Sequence, residues 1–284
     1  MRRPEINLRY VMVCDGNLSK EIKSNMAATF TDTGNSTLSG LRLVVGSKRL
    51  HFHEGQQATS IVVVSSDKCI AVKHKSLFDS HKGIHTIDLL ATAPGTAVVT
   101  GTTKNGQSST LTITVVGKLA LPARNSTEGL VARLLLAEVM SPSTSGYDAT
   151  DAETCMKRMI VVLKNRLKNP GQFGASDAST IDDIIKAPGQ FKGFEKFPDH
   201  FSPLIQRIQD IVNSANDNNR RDQLAFQNHL NLAIGIAQSN SALTKDPSST
   251  ELIGWRTSGH GSPGSNFVAF GTPLLNTQFF ERRK

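Results

Sequence analysis

The sequence predicts two domains, an all-β sandwich followed by a mainly α domain, and three observations carry that expectation. From about residue 40 to residue 117 the apolar residues fall in short, β-branched, partly alternating runs. Past Gly117 the apolar spacing lengthens to that of a helix, and helix-start signals begin. Between the two lies KLALPARNS, which has the character of a linker. The expected limits are 1–118 for the β module, 119–126 for the linker and 127–284 for the helical domain.

The candidate strands, in order, are LRLVV at 41–45, SIVVV at 60–64, CIAVK at 69–73, IHTIDLLAT at 84–92, TAVVTGTT at 96–103 and STLTITVV at 109–116. Asp67-Lys68, Pro94-Gly95 and Asn105-Gly106 punctuate them, the last a strong hairpin marker. Six short strands with alternating faces suit two sheets packed face to face. The helical half opens with Asn125 and Glu128 in a capping-box pattern, repeated by Thr150 with Glu153 and Thr180 with Asp183. These place helices near 126–140, 150–168 and 180–186, followed by longer ones near 203–215 and 219–239. The remainder, from SNSALTKDPSST onward, is rich in Gly, Ser and Pro yet carries Trp255, Phe267, Phe270, Phe279 and Phe280. Aromatics among glycines read as an ordered loop region packed onto the helices, either as a binding surface or as a cover for an apolar face.

Composition bounds the class. With 284 residues, 38 % apolar and 20 % charged, the chain is neither disordered nor a small scaffold that needs staples. Its net charge of +8 makes a polyanion a plausible partner without choosing one. Arg42, Lys48, Arg49, Lys68, Lys73, Lys75 and Lys82 are spread over separate runs with no phosphate loop, zinc finger or aromatic RNP segment, so nucleic acid is not the expected partner. Three cysteines, Cys14, Cys69 and Cys155, form no CxxC pair. His51 and His53 share a strand face but lack a third ligand of obvious spacing, so no metal and no cofactor is expected. Glu5, Asn7 and Arg9 interrupt what would be the apolar core of a signal peptide, and no apolar run is long enough to span a membrane.

The chemistry centres on EGLVARLLLAEVM. Val131, Leu134, Leu135 and Glu138 stand at offsets of 0, 3, 4 and 7, so one helix face carries a single carboxylate among aliphatics. A desolvated carboxylate holds its proton more readily, as a general acid must. The alternative places Glu138 in solvent at the helix end. Glycosidic cleavage can use a second carboxylate, and Asp148, Asp151 and Glu153 follow, the last two also suited to the first turn of the next helix. Cys155 with His200 or His229 offers a thiol pair, against which Met156, Met159 and Ile160 argue for an ordinary buried thiol.

Three stretches, LVARLLLAEVM, MIVVLKNRLKNPGQFG and STIDDIIKAPGQFKGF, together resemble the cell-wall hydrolase family of the spore-cortex-lytic enzyme type. In that family an alanine-glutamate pair ends the first helix, an asparagine-arginine pair closes the second, and a proline-glycine-glutamine-phenylalanine motif follows an isoleucine-rich turn. The segment with Trp255 and 276–280 resembles a lengthened version of the family's closing stretch. The resemblance implies a lysozyme-like helical fold and cleavage of peptidoglycan between N-acetylmuramic acid and N-acetylglucosamine, as a lytic transglycosylase or muramidase. It implies Glu138 as the acid, Asn165 and Arg166 as structural support, and Gln190 and Phe191 in the cleft, with Trp255 of the closing stretch as a further substrate contact; Tyr147, in the loop that departs from the family pattern, is a separate candidate for a hydrogen bond to sugar. Where the family continues with alanine, arginine, glycine and a second glutamate, this chain has VMSPSTSGYDATDAET, which leaves lytic and hydrolytic routes both open. The β module resembles bacterial immunoglobulin-like modules through its strand pattern and its ending, STLTITVVG. A muramidase without a recognisable signal peptide implies action in the periplasm or cell wall after delivery by a specialised secretion system or a phage particle. A delivered antibacterial effector would have a secretion-apparatus partner and an immunity protein; a non-catalytic wall-binding or structural accessory protein is the alternative.

Overall fold

The computed structural model describes residues 28–53, 61–72, 77–80, 83–104, 106–198, 204–239 and 251–283. The amino-terminal segment with Glu5, Asn7, Arg9 and Cys14 lies outside the described residues, as do Lys73, Lys75, Lys82, Asn105, His200 and the run 240–250. The chain divides into two units between Val116 and Gly117.

The first unit contains β1 (Thr29–Thr31), β2 (Gly40–Val44), β3 (Gly46–His53), β4 (Ile61–Ser65), β5 (Ile70–Val72), β6 (Leu77–Asp79), β7 (Ile84–Ala91), β8 (Gly95–Thr103) and β9 (Ser108–Val116). One sheet runs β1-β3-β7-β5, with β6 also on β7; the other runs β2-β9-β8-β4. The pairings are antiparallel except β2 with β9, which run parallel. Period-two alternation buries Leu50 and Phe52 from β3, Ile87 and Leu89 from β7, and Leu111 and Ile113 from β9 in one core. The two sheets meet closely at Gly101, where an added Cβ would lie 2.5 Å from the Phe52 ring, so only glycine admits that aromatic. β3 is absent from the sequence expectation because its first half, GSKR, is polar; the alternation starts only at Leu50.

The second unit opens with α1 (Thr127–Glu138) and α2 (Ala149–Lys168), a short 3-10 helix (Pro170–Phe173) and α3 (Ile181–Lys186). It continues with α4 (Leu204–Ala215) and α5 (Gln223–Gln238). Three strands follow, β10 (Leu252–Thr257), β11 (Phe267–Leu274) and β12 (Thr277–Arg282), in an antiparallel sheet of order β10-β12-β11. The expected succession of an all-β domain and a mainly α, lysozyme-like one is therefore overturned: the protein is mixed, and its second unit joins helices to a sheet. The aromatics taken for a loop region are strand residues, with Trp255 opposite Phe279 and Phe279 opposite Phe270. The β11–β12 hairpin turns on Leu275-Asn276, both at positive φ (44° and 62°). That is the backbone of a two-residue hairpin turn whose usual marker is a glycine, and a leucine in its place hid the hairpin.

α1 is the central helix of this unit. All its residues from Gly129 to Ala137 except Arg133 are buried. An added Cβ at Gly129 would stand 1.8 Å from the Ala123 carbonyl oxygen, so the linker backbone lies directly on the helix start. The caps shift from their expected places: Ser126 caps α1 through its hydroxyl and Asp148 caps α2, while Thr180 and Asp183 form a capping box on α3.

Candidate functional site

Glu138 is the last residue of α1, half-buried, and the chain turns extended at Val139. The four-residue apolar face that singled it out is not a stripe, because α1 is buried nearly all round. What distinguishes Glu138 is its partner: the Trp255 indole, on β10, donates Nε1–H to its Oε2 at 3.0 Å. Among the described residues no donor is bonded to Oε1.

Trp255 is fixed from behind. It stacks on Phe191 with ring centroids 5.1 Å apart, and the Arg166 guanidinium lies over Trp255, Phe191 and Phe173 at 5.9, 5.3 and 5.3 Å. Arg166 donates to the Ile253 carbonyl at 2.9 Å and to Gln190 Oε1 at 2.7 Å, and Asn165 donates to the Leu252 carbonyl at 2.9 Å. Gln190 in turn donates to the Phe173 carbonyl. Among the described residues no carboxylate pairs with Arg166, and burial pushes its pKa down to about 10. Its charge is held by π faces and carbonyl dipoles instead. The structure thus brings Asn165, Arg166, Gln190, Phe191 and Trp255 into one assembly whose front edge is the indole on Glu138. Gln190 spends both ends of its amide inside that assembly, and Phe191 is buried within it.

Tyr147 lies in the loop after α1 and meets α5: its hydroxyl is 3.2 Å from His229 Nδ1, and burial raises the phenol pKa, with the Asp148 charge adding to the shift. His229 is 1 % exposed, and its Nε2 is buried with no hydrogen-bond partner. Burial first, and the Arg207 charge second, push its pKa down to about 4, so the ring is neutral near pH 7. Arg207, on α4, donates from Nη2 to the Val139 carbonyl at 2.8 Å. Burial lowers its pKa while the Glu138 charge works the other way.

Two of the candidate second carboxylates, Asp148 and Glu153, have other engagements. Asp148 accepts from the amides of Thr150 and Asp151 at 2.8 and 2.9 Å, Asp151 sits in the first turn of α2, and Glu153 pairs with Lys157. Among the described residues no hydrogen bond joins any of the three to Glu138. Cys155 is fully buried, and desolvation pushes its thiol up to about 12, which opposes a nucleophilic role. His53 Nε2 lies 2.9 Å from the Thr31 hydroxyl, and no group of three or more potential metal ligands occurs among the described residues. Cys69 and Cys155 are both free thiols. No helix among the described residues is long and apolar enough to cross a membrane.

Sequence did not single out Arg207, and it named His229 only as a partner for Cys155, although the spacing that marked Glu138 also marks both. Leu204, Arg207, Ile208 and Ile211 repeat the offsets 0, 3, 4 and 7, and so do Phe226, His229, Leu230 and Ala233. A groove of about 530 Å3 opens beside Arg207, with Ser141, Ser143, Asn213 and Phe226 among its walls.

No family model matches the chain, and no curated protein matches it. Among solved structures, the S-layer protein rSbsC aligns at 11 % identity with a TM-score of 0.27, over 34 % of this chain and 14 % of that one. A GH5 xyloglucanase of Bacteroides ovatus aligns at 12 % identity and a TM-score of 0.21, over 36 % and 24 % of the two chains. A polysaccharide lyase aligns at 9 % identity and a TM-score of 0.22, over 79 % of this chain and 40 % of that one. At such scores these alignments assign neither fold nor activity.

Proposed function

We propose that this protein cleaves the β-1,4 glycosidic bond between N-acetylmuramic acid and N-acetylglucosamine in peptidoglycan, with Glu138 as general acid and then base. The observation that carries the proposal is the Trp255 N–H on Glu138 Oε2. An indole is a donor only, so it occupies Oε2 and leaves Oε1 to carry the proton toward a leaving-group oxygen. The same bond holds the carboxyl in one orientation, which is the proximity term that acid catalysis needs. After the glycosidic bond breaks, the carboxylate takes a proton from the muramoyl C6 hydroxyl, which closes the anhydro ring, or from water. The engagements of Asp148 and Glu153 favour the lytic route, because it needs one carboxylate where the hydrolytic route uses two. Delivery into the periplasm or cell wall as an antibacterial effector, with an immunity protein in the producer, completes the reading.

Purified sacculi provide the test. The Glu138→Gln protein keeps its fold and releases no muropeptides, and mass spectrometry of the wild-type digest finds products that lack the water a hydrolytic product gains. Unchanged release by the variant removes Glu138 from the mechanism. Sacculus binding without products from the wild type replaces the enzyme with a wall-binding accessory protein.

A further inference from the structure

His229 has two neutral tautomers, and its surroundings choose between them. The ring is 1 % exposed, its Nδ1 lies 3.2 Å from the Tyr147 hydroxyl, and its Nε2 is buried with no hydrogen-bond partner among the described residues. A neutral imidazole carries a proton on one nitrogen and a lone pair on the other. With the proton on Nε2, a buried N–H would face no acceptor, and the phenol would spend its own proton inward on Nδ1. With the proton on Nδ1, that N–H donates to the phenol oxygen, and only a bare lone pair is left at Nε2. Orphaned buried N–H groups are rarer in folded proteins than under-satisfied acceptors, which favours the second form.

That form frees the phenol proton. The Tyr147 ring meets the imidazole edge-on, with centroids 5.6 Å apart and planes at 75°, while its amide donates to the Thr144 carbonyl at 3.1 Å and the next residue, Asp148, caps α2. Ring and backbone are thus both held, and Tyr147 remains partly buried at the edge of the core. Its raised pKa keeps the hydroxyl protonated, hence a donor. The loop that carries it leaves α1 directly after Glu138. Arg207, which holds the Val139 carbonyl, is near enough for its charge to act on His229, so the pair belongs to the same end of α1 as the carboxyl.

We infer that His229 is a positioning residue: by donating from Nδ1 to the Tyr147 oxygen it turns the phenol proton outward, to an acceptor oxygen of the glycan held at Glu138. This rests on the glycan-cleaving reading above and gives the loop after α1 a part in it.

The experiment has two readouts on the full chain. Long-range proton-nitrogen NMR correlation of the isotope-labelled protein near neutrality reads the tautomer of each neutral histidine, and the signals that vanish in His229→Leu belong to His229. A protonated Nδ1 is expected; a protonated Nε2 overturns the inference. Muropeptide release from purified sacculi reads the role. Tyr147→Phe and His229→Leu each lower the initial rate about tenfold, as the loss of one hydrogen-bond donor to the transition state does. The double variant falls no further than either, because both changes remove the same donor. His229→Asn, whose amide N–H can stand where Nδ1 does, restores part of the rate. Unchanged release by Tyr147→Phe overturns the inference and leaves the function standing. So does a full further loss from His229→Leu in the Tyr147→Phe background, which is the result a purely structural histidine gives. Should His229→Leu fail to fold, His229→Asn identifies the NMR signals, and the tautomer together with Tyr147→Phe decides. A wild-type protein that releases no muropeptides refutes the glycan reading, and this inference with it.

Discussion

Acid should weaken the second unit in part through His229. In the fold its ring is buried and neutral, with a pKa pushed down to about 4 from an ordinary 6.5. The unfolded chain therefore takes up the proton first as pH falls, and the stability that the neutral ring contributes is fully present above about pH 6.5. It is lost progressively down to the folded value. Each pH unit in that window costs about 1.4 kcal/mol, so by pH 4 the cumulative loss is about 3 kcal/mol. The assay is urea unfolding followed by tryptophan emission at a series of pH values. Trp255 is the chain's single tryptophan and lies in the second unit, so the signal reports that unit alone. His229→Leu removes the titrating group; its stability near neutrality falls by about 1 kcal/mol with the loss of the Tyr147 contact, and its pH dependence flattens. Other carboxylates titrate equally in both proteins and cancel in the difference. Parallel pH profiles for wild type and variant would refute the reasoning.

Three further outcomes follow from packing and geometry. Gly129→Ala should raise stability by helix propensity alone, yet the Ala123 carbonyl stands where the methyl group would go, so a loss of about 3 kcal/mol in urea unfolding is expected; a rise in Tm contradicts the close approach. Trp255→Phe keeps the stack on Phe191 but removes the donor to Glu138, and muropeptide release should fall about tenfold while Tm changes little. Cys155, fully buried and with its thiol pushed up to about 12, should resist a disulfide reagent at pH 8 until the fold opens. Mass spectrometry of the peptide that contains it then measures the unfolding rate, and rapid labelling of the native protein would be inconsistent with this burial.

How much of this was legible in sequence depended on whether a signal was local. Alternation along β8 and β9 and the apolar spacing of α1 and α2 are local, and those elements lie close to where the sequence places them. β3 was missed because half of it is polar, and β10 to β12 because a Leu-Asn turn and a stretch of glycines and serines concealed the strands. Glu138 was found by a spacing argument whose premise, one apolar face, does not hold for a helix buried all round. The same offsets applied evenly would have marked Arg207 and His229, two polar side chains on otherwise apolar faces. The contacts that define the site were beyond reach, since Trp255 meets Glu138 across 117 positions.

That separation has a kinetic side. Closing a loop of such length is entropically costly and is repaid only when the last sheet docks, with Asn165 and Arg166 taking the carbonyls of β10. The helices of the second unit complete their apolar core only with Leu252 and Phe279 of those strands, so the carboxylate gains its indole in the step that closes the core. A partial opening that released the sheet would separate the indole from Glu138 and would also uncover the helical core that Leu252 and Phe279 complete. The final strands therefore act as a clasp: the one side-chain hydrogen bond described on Glu138 exists only while they are docked.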